Sequence, residues 1–288
     1  MAKNKSMAYQ VKRELYSQLR FGESKYESKL KEDTNSPEGI FSKSTMDSYI
    51  KHGIAFANWT KETYGCKTLI DAYGHIQDYI DWRVSKGLSA WTVKLDASAI
   101  AKLYQVPAKD LGIITPPRYR ADIKRSRKEC EHDKHFSEER NKKAVLFGKG
   151  TGLRRSEMKA LLKEDIYCRN GKTFVHVEKG KGGKTREVEV AFGFEAHVLK
   201  CAAAAKKGEK IFAKDEIKNR MDEHSYRAEY AKTIYKQYER PLDLLSDKEK
   251  YYCRKDKQGC VYDRRAMLIT SRNLGHNRIN VIASNYLY

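Results

Sequence analysis

At 288 residues and 33.4 kDa the chain is long enough for two modest domains, each with its own core. Its 58 Lys and Arg against 38 Asp and Glu leave a formal charge of +20, and 40% hydrophobic residues with 19 Tyr exclude a disordered basic tail. No run of about 18 apolar residues exists, which excludes a membrane helix, and no apolar stretch follows Met1-Ala2-Lys3-Asn4-Lys5, so a secretory signal is not expected and a cytoplasmic protein is.

Residues 9–31 are rich in Lys, Glu, Leu and Gln without Pro and read as helical, with a polar break at 33–39. Ser44-x-x-Asp47 has the pattern of a helix start. Behind it Met46, Ile50 and Ile54 recur every four residues as one apolar stripe. Ile76, Ile80 and Val84 predict a third helix stopping near Gly87, and a fourth runs from about Ser89 through Trp91, Leu95, Ile100 and Leu103. Four helices predict a small all-helical module over 1–115, with the Met, Trp and Tyr of these stripes in its core.

Pro107, Pro116 and Pro117 mark a break. Arg118, Arg120, Lys124, Arg125, Arg127 and Lys128 then form a basic stretch over 116–129, read either as a linker along a phosphate backbone or as a solvated strap. The second domain, 130–288, opens with a helix over 138–147, a glycine break over 148–152, and a helix over 153–162. A three-stranded meander follows. A short strand over 165–169 turns at Asn170-Gly171, a strong hairpin signal, into a strand over 174–177. A glycine-rich turn, 179–184, leads to Arg186-Glu187-Val188-Glu189-Val190, which alternates as a half-buried strand should. Helices are predicted over 195–205, 224–238, 264–273 and 280–286.

The charge is concentrated in this second part. Residues 1–115 carry 17 basic and 13 acidic residues, net +4, and residues 116–288 carry 41 and 25, net +16. A domain that positive repels itself unless an anion offsets it, and nucleic acid is the usual partner. The six cysteines are scattered, as reduced thiols are; neither Cys130-x-His132-x-x-His135 nor Cys253 with Cys260 has the spacing of a common structural zinc site.

Several short motifs could carry chemistry. Gly183-Lys184-Thr185 resembles the end of a phosphate-cradling loop, but Glu178 stands where its first glycine belongs and a strand follows instead of a helix. His224-x-x-Arg227 puts an imidazole and a guanidinium on one helix face, a pair suited to a phosphate. In TGLRRSE (151–157), Arg154 stands at a helix start behind a glycine, where backbone amides and guanidinium suit an anion. LGH (274–276) puts His276 after another helix, and Tyr286 follows ten residues later in NYLY. Taken singly, each of these has an ordinary surface or packing explanation.

Taken in order, TGLRRSE, GKGGKTR, HSYR, LGH and NYLY resemble the motifs of the tyrosine recombinase (phage integrase-like) family. The resemblance covers residues 130–288, and the helical first part is similar in character to that family's core-binding domain. It implies a mainly α protein with a small antiparallel β-meander: an all-helical N-terminal core-binding-like domain and an α+β catalytic domain. Two departures stand out: a long, charged stretch over 238–263, read as an insertion, and a His276–Tyr286 spacing one residue longer than is commonest, which keeps Tyr288 as a minor alternative nucleophile. Residues 1–40 are too short for a separate arm-binding domain.

The resemblance implies site-specific cutting and rejoining of double-stranded DNA without metal, ATP or other cofactor. Tyr286 would attack the scissile phosphodiester to give a 3′-phosphotyrosine. Arg154 and Arg227 would stabilise the charge on the phosphoryl oxygens, and His276 would add a hydrogen bond. His224 would accept the phenolic proton, and Lys181, with Lys184 as fallback, would protonate the leaving 5′-oxygen. Glu157 would orient Arg154 or form an ordinary helix salt bridge. Four protomers would assemble on two DNA sites, the C-terminal segment of each docking on a neighbour. The alternatives are a type IB topoisomerase-like relaxation of DNA and a non-catalytic DNA-binding regulator with this fold.

Overall fold

The structure is a computed structural model, and it describes residues 5–34, 37–119, 135–180, 185–254, 257–276 and 278–287. Two compact units emerge, 1–123 and 124–288. Most of the basic stretch, along with Lys181, Lys184, Tyr288, Cys130 and His132, lies outside the described residues.

Unit 1 is helical. Helices α1 (Met7–Tyr16) and α2 (Lys25–Lys31) stand where one long helix is expected over 9–31. Their separation follows from capping: Ser6 and Ser24 each accept the amide of the residue three further on, and Gly22 between them adopts φ +90°, which suits only glycine. Helix α3 (Lys43–Tyr64) starts on Ser42, two residues before the expected start, and ends on left-handed Gly65. Its core face is Met46, Gly53, Phe56, Ala57 and Thr60, with Ile50 and Ile54 partly buried at the edge. Gly53 lets α1 approach, since a Cβ there would stand 2.9 Å from Val11. A one-turn α4 (Leu69–Ala72), absent from the sequence reading, precedes α5 (Ile76–Ser85). Helix α6 (Ala90–Leu103) is capped by Ser89, as expected. Ile76 and Ile80 are buried, but Val84, the third member of that stripe, is exposed. Asp96, buried in α6, accepts hydrogen bonds from Arg83 at 2.8 Å and pairs with the His52 ring at 2.5 Å, so its charge is compensated.

Unit 2 begins with α7 (Lys142–Thr151). The expected break at Gly148 is absent: the helix runs through Gly148 and Gly150 and stops only at Gly152. Both glycines serve packing. A Cβ at Gly148 would stand 3.3 Å from Tyr226, and one at Gly150 2.5 Å from Phe194. Gly152 does break the helix, at φ +59°, and its missing Cβ leaves room for the Tyr230 ring, which an added carbon would meet at 2.4 Å. Gly152→Ala should therefore cost about 2–5 kcal/mol from combined backbone strain and overlap, read as a fall in the urea midpoint.

The short α8 (Arg155–Ala160) leads into the meander of β1 (Ile166–Arg169), β2 (Lys172–Val177) and β3 (Arg186–Glu189), antiparallel in sequence order. Asn170 and Gly171 both take positive φ at the first turn, 50° and 73°, as the hairpin signal requires. Helices α9 (Glu195–Ala203), α10 (Glu223–Tyr238), α11 (Arg264–Asn273) and α12 (Asn280–Asn285) follow, within two residues of the expected ends. The 238–263 stretch contains a two-stranded hairpin, β4 (Lys250–Tyr252) and β5 (Val261–Asp263). The core, including Phe147, Val175, Val188, Tyr230 and Ile282, is shared among the helices and the meander. Among the described residues no helix is long and apolar enough to cross a membrane.

Candidate active site

The site is assembled by the ends of elements. Arg154 occupies the residue before α8 in extended backbone, and the Glu157 carboxylate reaches back to its amide at 2.9 Å. The same carboxylate accepts Arg154 Nη1 at 2.9 Å and both Nη atoms of Arg186 at 3.0 and 2.8 Å. Burial pushes the Glu157 carboxyl up, but the hydrogen bonds and charge of Arg186, with those of Arg154, overrule it and bring it down to about 2. Glu157 therefore positions Arg154 and is more than a surface helix pair. Arg186 is fixed in turn by a 3.0 Å bond from Nε to the Asn273 carbonyl, while the Asn273 side chain accepts the Glu189 amide at 2.7 Å. Strand β3 is thereby stitched to the end of α11.

Glu157 contributes stability that is complete above its ordinary value of 4.5 and lost as pH falls from there toward 2. In Glu157→Gln the guanidinium groups lose their counter-charge at every pH. The stability gap between wild type and variant should be widest at pH 7 and narrow by pH 3, as measured by urea unfolding at both.

Arg227 is 1% exposed on α10. Its guanidinium donates to the Gly152 carbonyl and, at 3.1 Å, to the Leu274 carbonyl. The helix breaks of TGLR and LGH are thus tied together by one side chain. Burial lowers the Arg227 pKa and nearby Arg154 adds to this, while the Tyr286 hydroxyl and Glu157 act in the opposite direction.

Beyond α11, Gly275 at φ +71° turns the chain back, and His276 is held by its amide on the Ser271 carbonyl at 2.8 Å and its carbonyl on the Ser271 hydroxyl at 3.0 Å. The His276 ring stands 3.2 Å through Nε2 from the Tyr286 hydroxyl. Tyr286 is 5% exposed, at the C-terminal end of α12, which is anchored by buried Ile282 and Ala283.

The structure therefore brings Arg154, Arg227, His276 and Tyr286 together. His224 sits in the first turn of α10, its side chain 62% exposed and 3.9 Å from the Glu223 carboxylate. It shares a helix with Arg227 but not its depth: Arg227 enters the core, and His224 opens to solvent. Lys181 and its fallback Lys184, with the alternative nucleophile Tyr288, are outside the described residues. Arg186 is the residue that the motif reading passed over. It alternates with the buried Val188 and Val190 on one face of its strand, and an Arg on an apolar face needs a buried acid.

Such a cluster can act on an anion. The Arg227 guanidinium stands beside a phenol whose hydroxyl already has an imidazole neighbour, and Arg154 is close enough to Arg227 to repel it, so a phosphoryl group placed there would meet cations, a nucleophile and a proton acceptor together. Among the described residues no group of three His, Cys, Asp or Glu is arranged to hold a metal ion. The Cys253 amide donates to the Cys260 carbonyl at 2.9 Å, next to the β4–β5 hairpin.

No protein-family model matches the chain, and no curated protein matches it either. Solved structures do. The XerH site-specific recombinase bound to palindromic difH substrate, a post-cleavage complex, aligns with a TM-score of 0.56 at 14% identity over 98% of this chain and 91% of that one. Its pre-cleavage complex with difH substrate aligns at 0.55 and 15%, over 98% and 92%. The fold implied by the ordered motifs, that of the tyrosine recombinases, is the fold of this chain.

Proposed function

We propose that this protein is a site-specific tyrosine recombinase or integrase that cuts and rejoins double-stranded DNA through a covalent 3′-phosphotyrosine. The observation that carries the reading is the Tyr286 hydroxyl 3.2 Å from His276, next to the buried Arg227. The XerH site-specific recombinase that it resembles in fold is seen bound to difH substrate before and after cleavage.

In the first step the Tyr286 oxygen attacks phosphorus, the P–O(Tyr) bond forms and the P–O5′ bond breaks. The phenolic proton leaves toward an imidazole, and the 5′-oxygen gains a proton. His276 is already on the hydroxyl and is the acceptor the geometry favours over His224; His224, open at the rim, would contact the incoming phosphate. Arg227 and Arg154 face the charge gathering on the non-bridging oxygens of the five-coordinate transition state. Lys181, between β2 and β3 in the sequence, is the donor to the leaving 5′-oxygen. The phosphodiester energy is retained in the phosphotyrosine, so a 5′-hydroxyl from a second strand can reverse the step and exchange partners.

Neither metal nor ATP enters this scheme. Adding EDTA to a cleavage reaction should leave the rate unchanged, and a rate restored only by added magnesium would contradict it. Four protomers are expected on two DNA sites; a complex of that mass on paired duplexes in light scattering supports this, whereas relaxation of supercoils by a lone protomer without strand exchange favours the topoisomerase-like alternative. The net +16 carried by residues 116–288 makes binding strongly salt-dependent.

A further inference from the structure

The stretch over 238–263 packs onto the segment that carries Tyr286. The hairpin is set rigidly at its base: Arg240 binds Asp263 through Nε at 2.8 Å and Nη2 at 2.9 Å and reaches Glu249 at 2.7 Å. Asp263 caps α11 and its amide donates to the Tyr235 hydroxyl at 2.9 Å. Tyr235 and Tyr262 meet edge to face with ring centres 5.7 Å apart. From this base two groups reach the tail. Lys257, in the connection between β4 and β5, donates to the Ala283 carbonyl at 2.6 Å and to the Leu287 carbonyl. The Tyr262 hydroxyl donates to the same Leu287 carbonyl at 3.3 Å.

Ala283 and Leu287 bracket Tyr286. Their carbonyls belong to the last turn of α12 and the residues after it, where backbone acceptors lack helical partners and the helix dipole favours a cation. An ammonium bound to both carbonyls closes the turn in which Tyr286 lies. With its own amide on the Ile282 carbonyl at 3.0 Å, the Tyr286 backbone is then fixed on both sides.

We propose that the β4–β5 hairpin is an intramolecular clasp that holds the nucleophile segment on its own subunit, with Lys257 and Tyr262 as positioning residues. The clasp rests on the reading of Tyr286 as the nucleophile for its effect on cleavage, but not for its effect on the tail itself. It acts in cis, in contrast to a tail given wholly to a neighbouring subunit, and it assigns a task to the 238–263 stretch. Because both contacts go to main-chain carbonyls, the clasp is indifferent to the side chains of the tail.

The test uses the full chain with Lys257→Met, Lys257→Arg and the milder Tyr262→Phe. Amide hydrogen exchange over 281–287 should quicken at least fivefold in Lys257→Met and less in Tyr262→Phe, with α10 unchanged as the sign of an intact fold. Single-turnover cleavage at saturating DNA should slow about tenfold in Lys257→Met with the DNA Kd unaltered, and Lys257→Arg should restore both readouts in large part. Unchanged exchange over 281–287 in Lys257→Met overturns the clasp, and so does a loss confined to DNA affinity. If Tyr286→Phe still forms the covalent adduct, the functional reading fails, while the exchange result continues to decide the clasp.

Discussion

Tyr286→Phe should abolish the covalent protein–DNA adduct on a nicked suicide substrate, with DNA binding retained. The substitution removes one oxygen from a side chain whose ring is packed beside His276, at 5.7 Å between ring centres, so the fold has little reason to change. Without the oxygen there is no atom to bond to phosphorus, and the loss is complete rather than graded. The adduct is read as a slow band on a denaturing gel. Its persistence in the variant would move the nucleophile to Tyr288 or refute the class of reaction.

Arg227→Ala should lower cleavage by at least about 100-fold, the scale of a lost preorganised donor to a developing oxyanion. It should also destabilise unit 2. The carbonyls of Gly152 and Leu274 lose their partner in the core, and a buried polar group left unpaired costs about 1–3 kcal/mol. Arg227→Lys keeps the charge but not the fork that spans two carbonyls, so it should recover little of the rate. Comparing both variants in urea unfolding and in single-turnover cleavage separates the two losses. Near-normal cleavage by a folded Arg227→Ala protein would remove this residue from the site.

The fold was legible where local chemistry decides it. Asn170-Gly171 fixes the first hairpin through its two positive φ angles, and the alternation of β3 puts Val188 in the core. The helix ends at Ser89 and Gly152 follow from a cap and a left-handed residue. Glycine was ambiguous elsewhere: Gly148 and Gly150 read as a break, yet they lie inside α7 because Tyr226 and Phe194 approach it closely, a fact of tertiary packing.

Within the site, the order of the motifs singled out Arg154, Lys181, His224, Arg227, His276 and Tyr286; Arg154, Arg227, His276 and Tyr286 belong to one cluster, and Lys181 lies outside the described residues. Helical spacing alone could not separate His224 from Arg227. Three residues apart on α10, one is in the first turn and exposed, and the other lies a turn deeper, where the carbonyls of two helix breaks converge. Arg186 left a signal in the strand pattern. The hairpin contacts left none, because Lys257 and Tyr262 bind main-chain carbonyls, and a carbonyl is the same under any side chain.

The most direct measurement traps the protein on a nicked duplex drawn from the DNA flanking its own gene, digests the adduct, and identifies the modified residue by mass spectrometry. The phosphotyrosine should be on Tyr286, joined to a 3′-phosphoryl end, with a 5′-hydroxyl on the released strand. A nucleotide attached to any other residue, or strand cleavage that leaves the protein unmodified, would contradict the central claim.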